Sequence, residues 1–139
     1  MGPEESYCRR WLVLGLLAEL AARRRAGDPI AAPIARAQKA AFLADGVEFF
    51  VVAAARPLAL AQRTDAAVSV GFLLNDAFRS TVRFADDPSV PRREVNLTCE
   101  RCPLPDCGER AAAPTVAERE LAATRREAAL AEVLRSLPA

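Results

Sequence analysis

The pair Asp45-Gly46 stands between two apolar runs, Ala41–Ala44 (AFLA) and Val47–Val52 (VEFFVV), and constrains the fold more than any other stretch. Asp-Gly suits the left-handed backbone of a tight reversal, and the flanking aromatic and β-branched residues suit paired strands. Residues 36–55 are therefore expected to form a hairpin closed by a two-residue turn. Its second arm is apolar almost throughout, which predicts a central strand covered on both faces. Pro57 should end or displace that strand.

The elements around the hairpin follow from periodicity. Apolar residues at Tyr7, Trp11, Leu14 and Leu17, widened by Leu12, Leu16 and Leu20, predict a helix over residues 4–26 that carries Cys8 as a small core residue. Arg23, Arg24 and Arg25 suit its negative end as a solvated terminus, and Gly27 with Asp28-Pro29 stops it. Ala67–Leu74 reads as a strand in which Gly71 permits a bulge or a close backbone approach. Asn75-Asp76 reads as a turn or cap for a short segment through Phe78. Ser80–Phe84 is expected as a further strand, Asp86–Pro91 as a loop, and Glu94–Leu97 as a brief pairing segment.

At the C-terminus, Thr115 and Glu118 match a capping box for a helix over 115–137. Leu130, Val133, Leu134 and Leu137 form its apolar stripe, which closes the core in one reading and serves self-association in the other. The fold class expected is α+β in one sensor-like domain over residues 1–139: a small, mostly antiparallel sheet over 36–98, a helix at each end, and a cysteine-rich loop over 99–113 before the last helix.

Composition excludes several functions. The chain has 139 residues, 19 basic and 18 acidic, for a net charge of +1, and the signs alternate. A protein that binds phosphates by neutralising them carries a basic face, so direct nucleic-acid binding by this chain alone is not expected. Histidine is absent, which removes imidazole-based catalysis and imidazole metal sites and argues against an enzyme. Leu12–Ala18 is apolar but ends at Glu19, far short of the ~20 residues that span a membrane. The expected setting is the cytoplasm, where clustered thiols more often hold metals than form disulfides.

Such a cluster is present. Cys99, Cys102 and Cys107 fall within nine residues, with Pro103 and Pro105 stiffening the intervening chain. A Cys-x2-Cys spacing lets one turn aim two thiolates at one centre, and soft thiolates favour zinc, copper(I) or iron–sulfur. Arg101 and Arg110 are expected to offset thiolate charge. Structural zinc takes four protein ligands, so the fourth would be Cys8, Asp106, Glu109 or another carboxylate. By spacing alone, metal or cluster binding, redox-active thiols and inert cysteines all stay open.

The stretch Cys99-x2-Cys102-x4-Cys107-x2-Arg110-Ala111, with Pro114 just after, resembles the cysteine signature of short-chain fatty-acyl transcriptional regulators of the XRE helix-turn-helix class. Ala44–Val52, Val70–Asn75 and Thr81–Phe84 resemble the sensor region before that signature, so the likeness covers about Phe42 to Pro114. The resemblance implies that Cys99, Cys102 and Cys107 ligate a 4Fe-4S iron–sulfur cluster beside a cavity for coenzyme A or a short-chain acyl-CoA. Arg110 matches the signature as well. It further implies a homo-oligomer in which one subunit's cluster can lie near another's ligand. Residues 1–35 show no helix-turn-helix, so the likeness is to the sensor region without the DNA-binding domain, and action through a helix-turn-helix regulator partner is expected. The alternative is a small zinc-stabilised protein-interaction domain.

Overall fold

A computed structural model describes residues 5–30, 32–58 and 64–137. The hairpin forms as expected from strands β1 (Ile34–Phe42) and β2 (Glu48–Pro57), which pair antiparallel from Ile34↔Ala55 to Ala41↔Glu48. The reversal is longer than two residues. The Phe42 amide donates to the Val47 carbonyl at 2.8 Å and the Gly46 amide to the Phe42 carbonyl at 2.9 Å, so residues 43–46 form the loop. Gly46 takes φ 70°, the left-handed conformation for which glycine carries no steric cost, and the Asp45 carboxylate accepts the Val47 amide.

β3 (Asp65–Leu73) adds antiparallel to β2. β4 (Arg92–Val95) lies on the far side of β1 and runs parallel to it, giving the order β3-β2-β1-β4. The sheet is thus mixed, with two antiparallel pairs and one parallel; β2 is central as expected but not covered on both faces, since Val52 is exposed. Gly71 makes no bulge: it keeps register with Val51, and a Cβ there would meet Phe49 at an ordinary 3.7 Å.

Strand alternation gives the sheet two unlike faces. On face A, Ile34, Ala53, Ala55 and Ala67 pack under helix α1 (Leu12–Ala26) through Leu16 and Leu20, with Leu12 and Val13 alongside. The helix buries this Leu12–Leu16–Leu20 line rather than one led by Tyr7 and Trp11, because it starts later than residues 4–26 implied. Glu4, its expected first residue, lies outside the described residues; Trp11 is the cap, and Tyr7 bridges Thr98 instead. Cys8 therefore sits ahead of the helix. Gly27, at φ 77°, ends α1, its amide donating to Arg24 and that of Asp28 to Arg23, the paired bonds that satisfy a helix's last carbonyls. Arg24 pairs with Asp65 on β3, and Glu19 accepts from Arg23 and Arg36 at 2.6 and 3.3 Å, so two of the basic triplet hold ion pairs.

On face B, Phe50 is 1% exposed beneath a short helix α2 (Asp76–Thr81) and the turns after it. The rings of Phe78 and Phe84 lie 5.5 and 5.6 Å from that of Phe50. Asn75 caps α2 as expected, its side chain accepting the Phe78 amide at 2.9 Å. The strand expected over Ser80–Phe84 does not form. The Asn75 cap commits the chain to a helix through Thr81, and a turn then brings Val82 and Ala85 onto the Phe50 cluster.

Helix α3 (Thr115–Ser136) closes the described chain. Its expected capping box is absent: Pro114 is the cap residue and Thr115 the first helical one. Nor does α3 close the core, since none of its residues is buried.

Truncating Phe50 to alanine should lower the unfolding free energy by about 3–5 kcal/mol, and Asn75→Ala by about 1 kcal/mol. Urea titration followed by far-ultraviolet circular dichroism measures both. A Phe50→Ala loss no larger than that of Asn75→Ala would contradict the face-B core.

Candidate metal centre

The cysteine loop begins where β4 ends. Asn96 is almost fully buried, and its side-chain amide, side-chain oxygen and backbone carbonyl are all hydrogen-bonded. Its side-chain amide donates to the Arg101 carbonyl at 3.1 Å, its side-chain oxygen accepts the Leu97 amide at 2.7 Å, and its backbone carbonyl accepts Trp11 Nε1 at 2.8 Å. One residue thus fixes the start of the loop, its first turn and the approach to α1. The Cys102 amide donates to the Cys99 carbonyl at 3.2 Å, closing the turn that the Cys-x2-Cys spacing predicts.

Arg110 clasps the loop from its far end. Its guanidinium donates to the Cys99 carbonyl at 3.1 Å and to the Leu104 carbonyl. The next amide, Ala111, donates to Cys99 Sγ at 3.4 Å. Arg110 therefore reaches the cysteine segment by bonding its backbone. Arg101 does not act beside it as expected: its guanidinium forks onto Glu5, with Nη2 at 2.8 Å, which raises its pKa further and spends its charge on the N-terminal segment.

That segment, Glu5–Arg10, forms a strap along the loop. The Cys99 amide donates to the Ser6 carbonyl at 2.9 Å and the Cys8 amide to the Leu97 carbonyl at 3.2 Å. Glu100 fastens the strap and α3 together. Its carboxylate accepts the Ser6 amide at 3.0 Å, and its carbonyl accepts both the Val116 and Ala117 amides at 3.0 Å, satisfying two of the unpaired donors of a helix start. The chain pattern around Cys8 reads equally well as helix, so no local signal could reveal this pairing across some ninety residues.

The thiols differ in setting. Cys8, Cys99 and Cys102 are buried, Cys107 is half-buried, and all four are free. Cys8 packs with Ala40, Val95 and Trp11. Of the carboxylates considered as a fourth ligand, Glu109 is paired with Arg93. Among the described residues no three Cys, Asp or Glu are grouped as a site for a metal ion. A single zinc gathers its sulfurs about 2.3 Å from one centre, whereas the thiolates of a four-iron cluster sit on separate irons and stand farther apart. The donor set here is three thiols of one loop with no imidazole. Thr98 Oγ1, fully buried and the neighbour of Cys99, has no hydrogen-bond partner among the described residues.

Beside the strap, face A opens into an apolar cavity of about 250 Å³ walled by Trp11, Leu12, Phe42, Phe49, Val51 and Val95. Its polar lining comes from Gln38, whose amide is tied to the Arg10 carbonyl, and from Ser69 at the β3 side. Gly71 leaves that part of the wall open. Sequence reasoning did not place this cavity, since its walls come from five separate elements. No helix among the described residues is long and apolar enough to cross a membrane. No known family matches the chain, and neither a curated protein nor a solved structure matches it.

The Ser6 amide holds the Glu100 carboxyl below its ordinary range. A depressed carboxylate pKa stabilises the strap fully above the unfolded value and ceases to do so as pH falls through the folded value. Acid should therefore release the strap below the ordinary glutamate range, read by the emission of Trp11, the chain's one tryptophan. Glu100→Ala should show the released emission already at neutral pH. An unchanged acid step in that variant would count against the latch.

Proposed function

We propose that this chain is a non-enzymatic regulatory sensor module, related to the sensor region of XRE-type short-chain fatty-acyl regulators. In this reading Cys99, Cys102 and Cys107 hold a 4Fe-4S cluster, and the face-A cavity takes the acyl end of a short-chain acyl-CoA. The observation that carries the reading is the join between the two. Trp11 and Val95 wall the cavity, Trp11 is hydrogen-bonded to Asn96, and Asn96 fixes the turn that bears Cys99 and Cys102.

The residues divide the work. Arg110 holds the Cys99 and Leu104 carbonyls of the loop, and the Ala111 amide donates to Cys99 Sγ. When bound, such a cluster supplies a soft, oxidation-sensitive centre with one iron left by the three cysteines to another ligand. The cavity is slightly below the usual size of ligand pockets, about 300–1,000 Å³, so it fits a short alkyl chain and leaves a nucleotide outside. An occupant that favours one position of Trp11 shifts the strap and loop by its differential affinity for the two positions. The near-neutral charge supports output through a partner protein, such as a helix-turn-helix regulator, over direct contact with DNA.

Protein purified without oxygen should be brown, with broad visible absorption, bound iron and acid-labile sulfide, and Cys102→Ser should lose all of these. A colourless protein with stoichiometric zinc would overturn the cluster and favour a zinc-stabilised interaction domain. For the cavity, butyryl-CoA should quench Trp11 emission, and Ser69→Leu, which fills the cavity's β3 side, should abolish the quench. Equal quenching of both proteins would remove the cavity from the reading.

A further inference from the structure

The sheet has two outer strands, and they are built differently. β4, at one edge, has four residues, begins with Arg92 and Arg93 and follows Pro91, devices that discourage a further strand from pairing there. β3, at the other, has nine residues with neither proline nor bulge, and no charge between Asp65 and Asp76. Its residues 68–73 are all exposed, and Val68, Val70 and Phe72, 66, 50 and 45% exposed, form an apolar row on face B. The ladder decides which backbone groups the edge presents. The Leu74 amide donates to the Glu48 carbonyl and the Leu58 amide to the Thr64 carbonyl, both at 2.9 Å, at the two ends of the β2–β3 pairing. Alternation between these ends turns the backbone groups of Ala66, Val68, Val70 and Phe72 toward β2. The amides and carbonyls of Ala67, Ser69 and Gly71 therefore point away from the sheet, and no strand among the described residues meets them.

We propose that β3 is a docking edge for an extended segment of another protein, which joins the four-stranded sheet as a further strand. Free donors and acceptors at two-residue steps match an extended chain; a helix, whose backbone groups are bonded internally, cannot answer them. An antiparallel partner sets one residue beside each of Val68, Val70 and Phe72, and apolar, β-branched residues suit those positions. Its alternate residues lie beside Ala67, Ser69 and Gly71, whose small size leaves room for them. Charge fixes the direction. Arg56, in register with Ala66 at one end of the edge, is exposed and forms no ion pair among the described residues. Asp76, exposed on the first turn of α2, stands beyond the other end. An antiparallel partner runs from the Asp76 end to the Arg56 end, so a base at its start and an acid at its finish complete the match. Docking here follows from the sheet and does not rest on the reading of the cysteines.

The probe is the fluorescent peptide KVTVTVTE, blocked at its termini and offered to the full chain in two N-methylated forms. In antiparallel pairing its threonine amides face Ala67, Ser69 and Gly71, and its valine amides face away. Methylating the valine amides keeps the docking edge and stops the peptide from stacking on itself. By fluorescence anisotropy this form should bind, and methylating the threonine amides instead should weaken binding by about 10- to 100-fold. On binding, hydrogen exchange should slow at the amides of Ala67, Ser69 and Gly71, those of Val68 and Val70 being slow already. Ser69→Pro removes an outward donor that an edge strand can spare, so it should lose binding with an unchanged circular dichroism spectrum. Where proline disturbs β3, Val70→Lys repeats the test from the apolar row. Equal binding of the two methylated forms, binding without protection of those three amides, or no binding would each overturn the proposal. So would a wild type that fills the edge with its own copy, seen in sedimentation as a dimer that Ser69→Pro splits.

Discussion

Glu100 is the point on which the site's architecture turns. Its carboxylate holds the strap through the Ser6 amide, and its carbonyl holds α3 through the Val116 and Ala117 amides. Both ends of the described chain are thereby referred to one residue inside the cysteine loop. Two of the chain's ten prolines, Pro103 and Pro105, lie in this loop, and they do not order it by themselves. The loop is ordered because Asn96 binds its start, Arg110 clasps its end and Glu100 loads its middle. Each bond uses a backbone group that would otherwise be left unpaired in a half-buried loop, where an unmade hydrogen bond costs more than a made one contributes.

The two faces of the sheet explain why the cavity adjoins the cysteines. α1 covers face A with leucines over the Ile34–Ala55 end, where small alanines let it come close. Toward the Phe42–Phe49 end the rings stand tall, packing edge to face at 5.7 Å, and Gly71 on β3 contributes no side chain to fill the space. The cavity thus follows from glycine beside bulky neighbours. β4 makes its back wall through Val95, one residue before Asn96, and the parallel pairing of β4 with β1 aims the chain toward the loop.

Legibility in the sequence tracked the range of the interactions. Asp45-Gly46, Asn75 and Gly27 specify structure within a few residues, and each reversal, cap and stop formed where those residues stand. The turn at Cys99–Cys102 and the position of the loop before the last helix were local as well. Failures came where a distant partner decided the outcome. The residues around Cys8 have helical periodicity, yet pairing with Leu97 and Cys99 draws them out as a strap. Ser80–Phe84 alternates like a strand but has the Phe50 cluster to cover. The Thr115 box is consistent in pattern, yet the Glu100 carbonyl supplies the acceptor that a capping hydroxyl would have provided. An amphipathic stripe records that a face is to be buried and carries no information about what buries it, so α3 was legible as a helix and not as an unpartnered one.

Anchoring α3 and the strap on the same residue has a consequence for regulation. Any change that moves Glu100 alters the strap beside the cavity and the direction in which α3 leaves the body. If an occupant of the cavity favours one position of Trp11, it favours one position of the strap, and with it one setting of the α3 start. Any partner bound through α3 would then be coupled to the cavity, and by linkage the affinity of the cavity would depend equally on that partner. The coupling needs no long pathway. It passes through Trp11, Asn96, the Cys99–Cys102 turn and Glu100, a run of neighbouring hydrogen-bonded groups that includes the backbone of both cysteines. A centre held by those thiols would stiffen the one segment that both signals must cross.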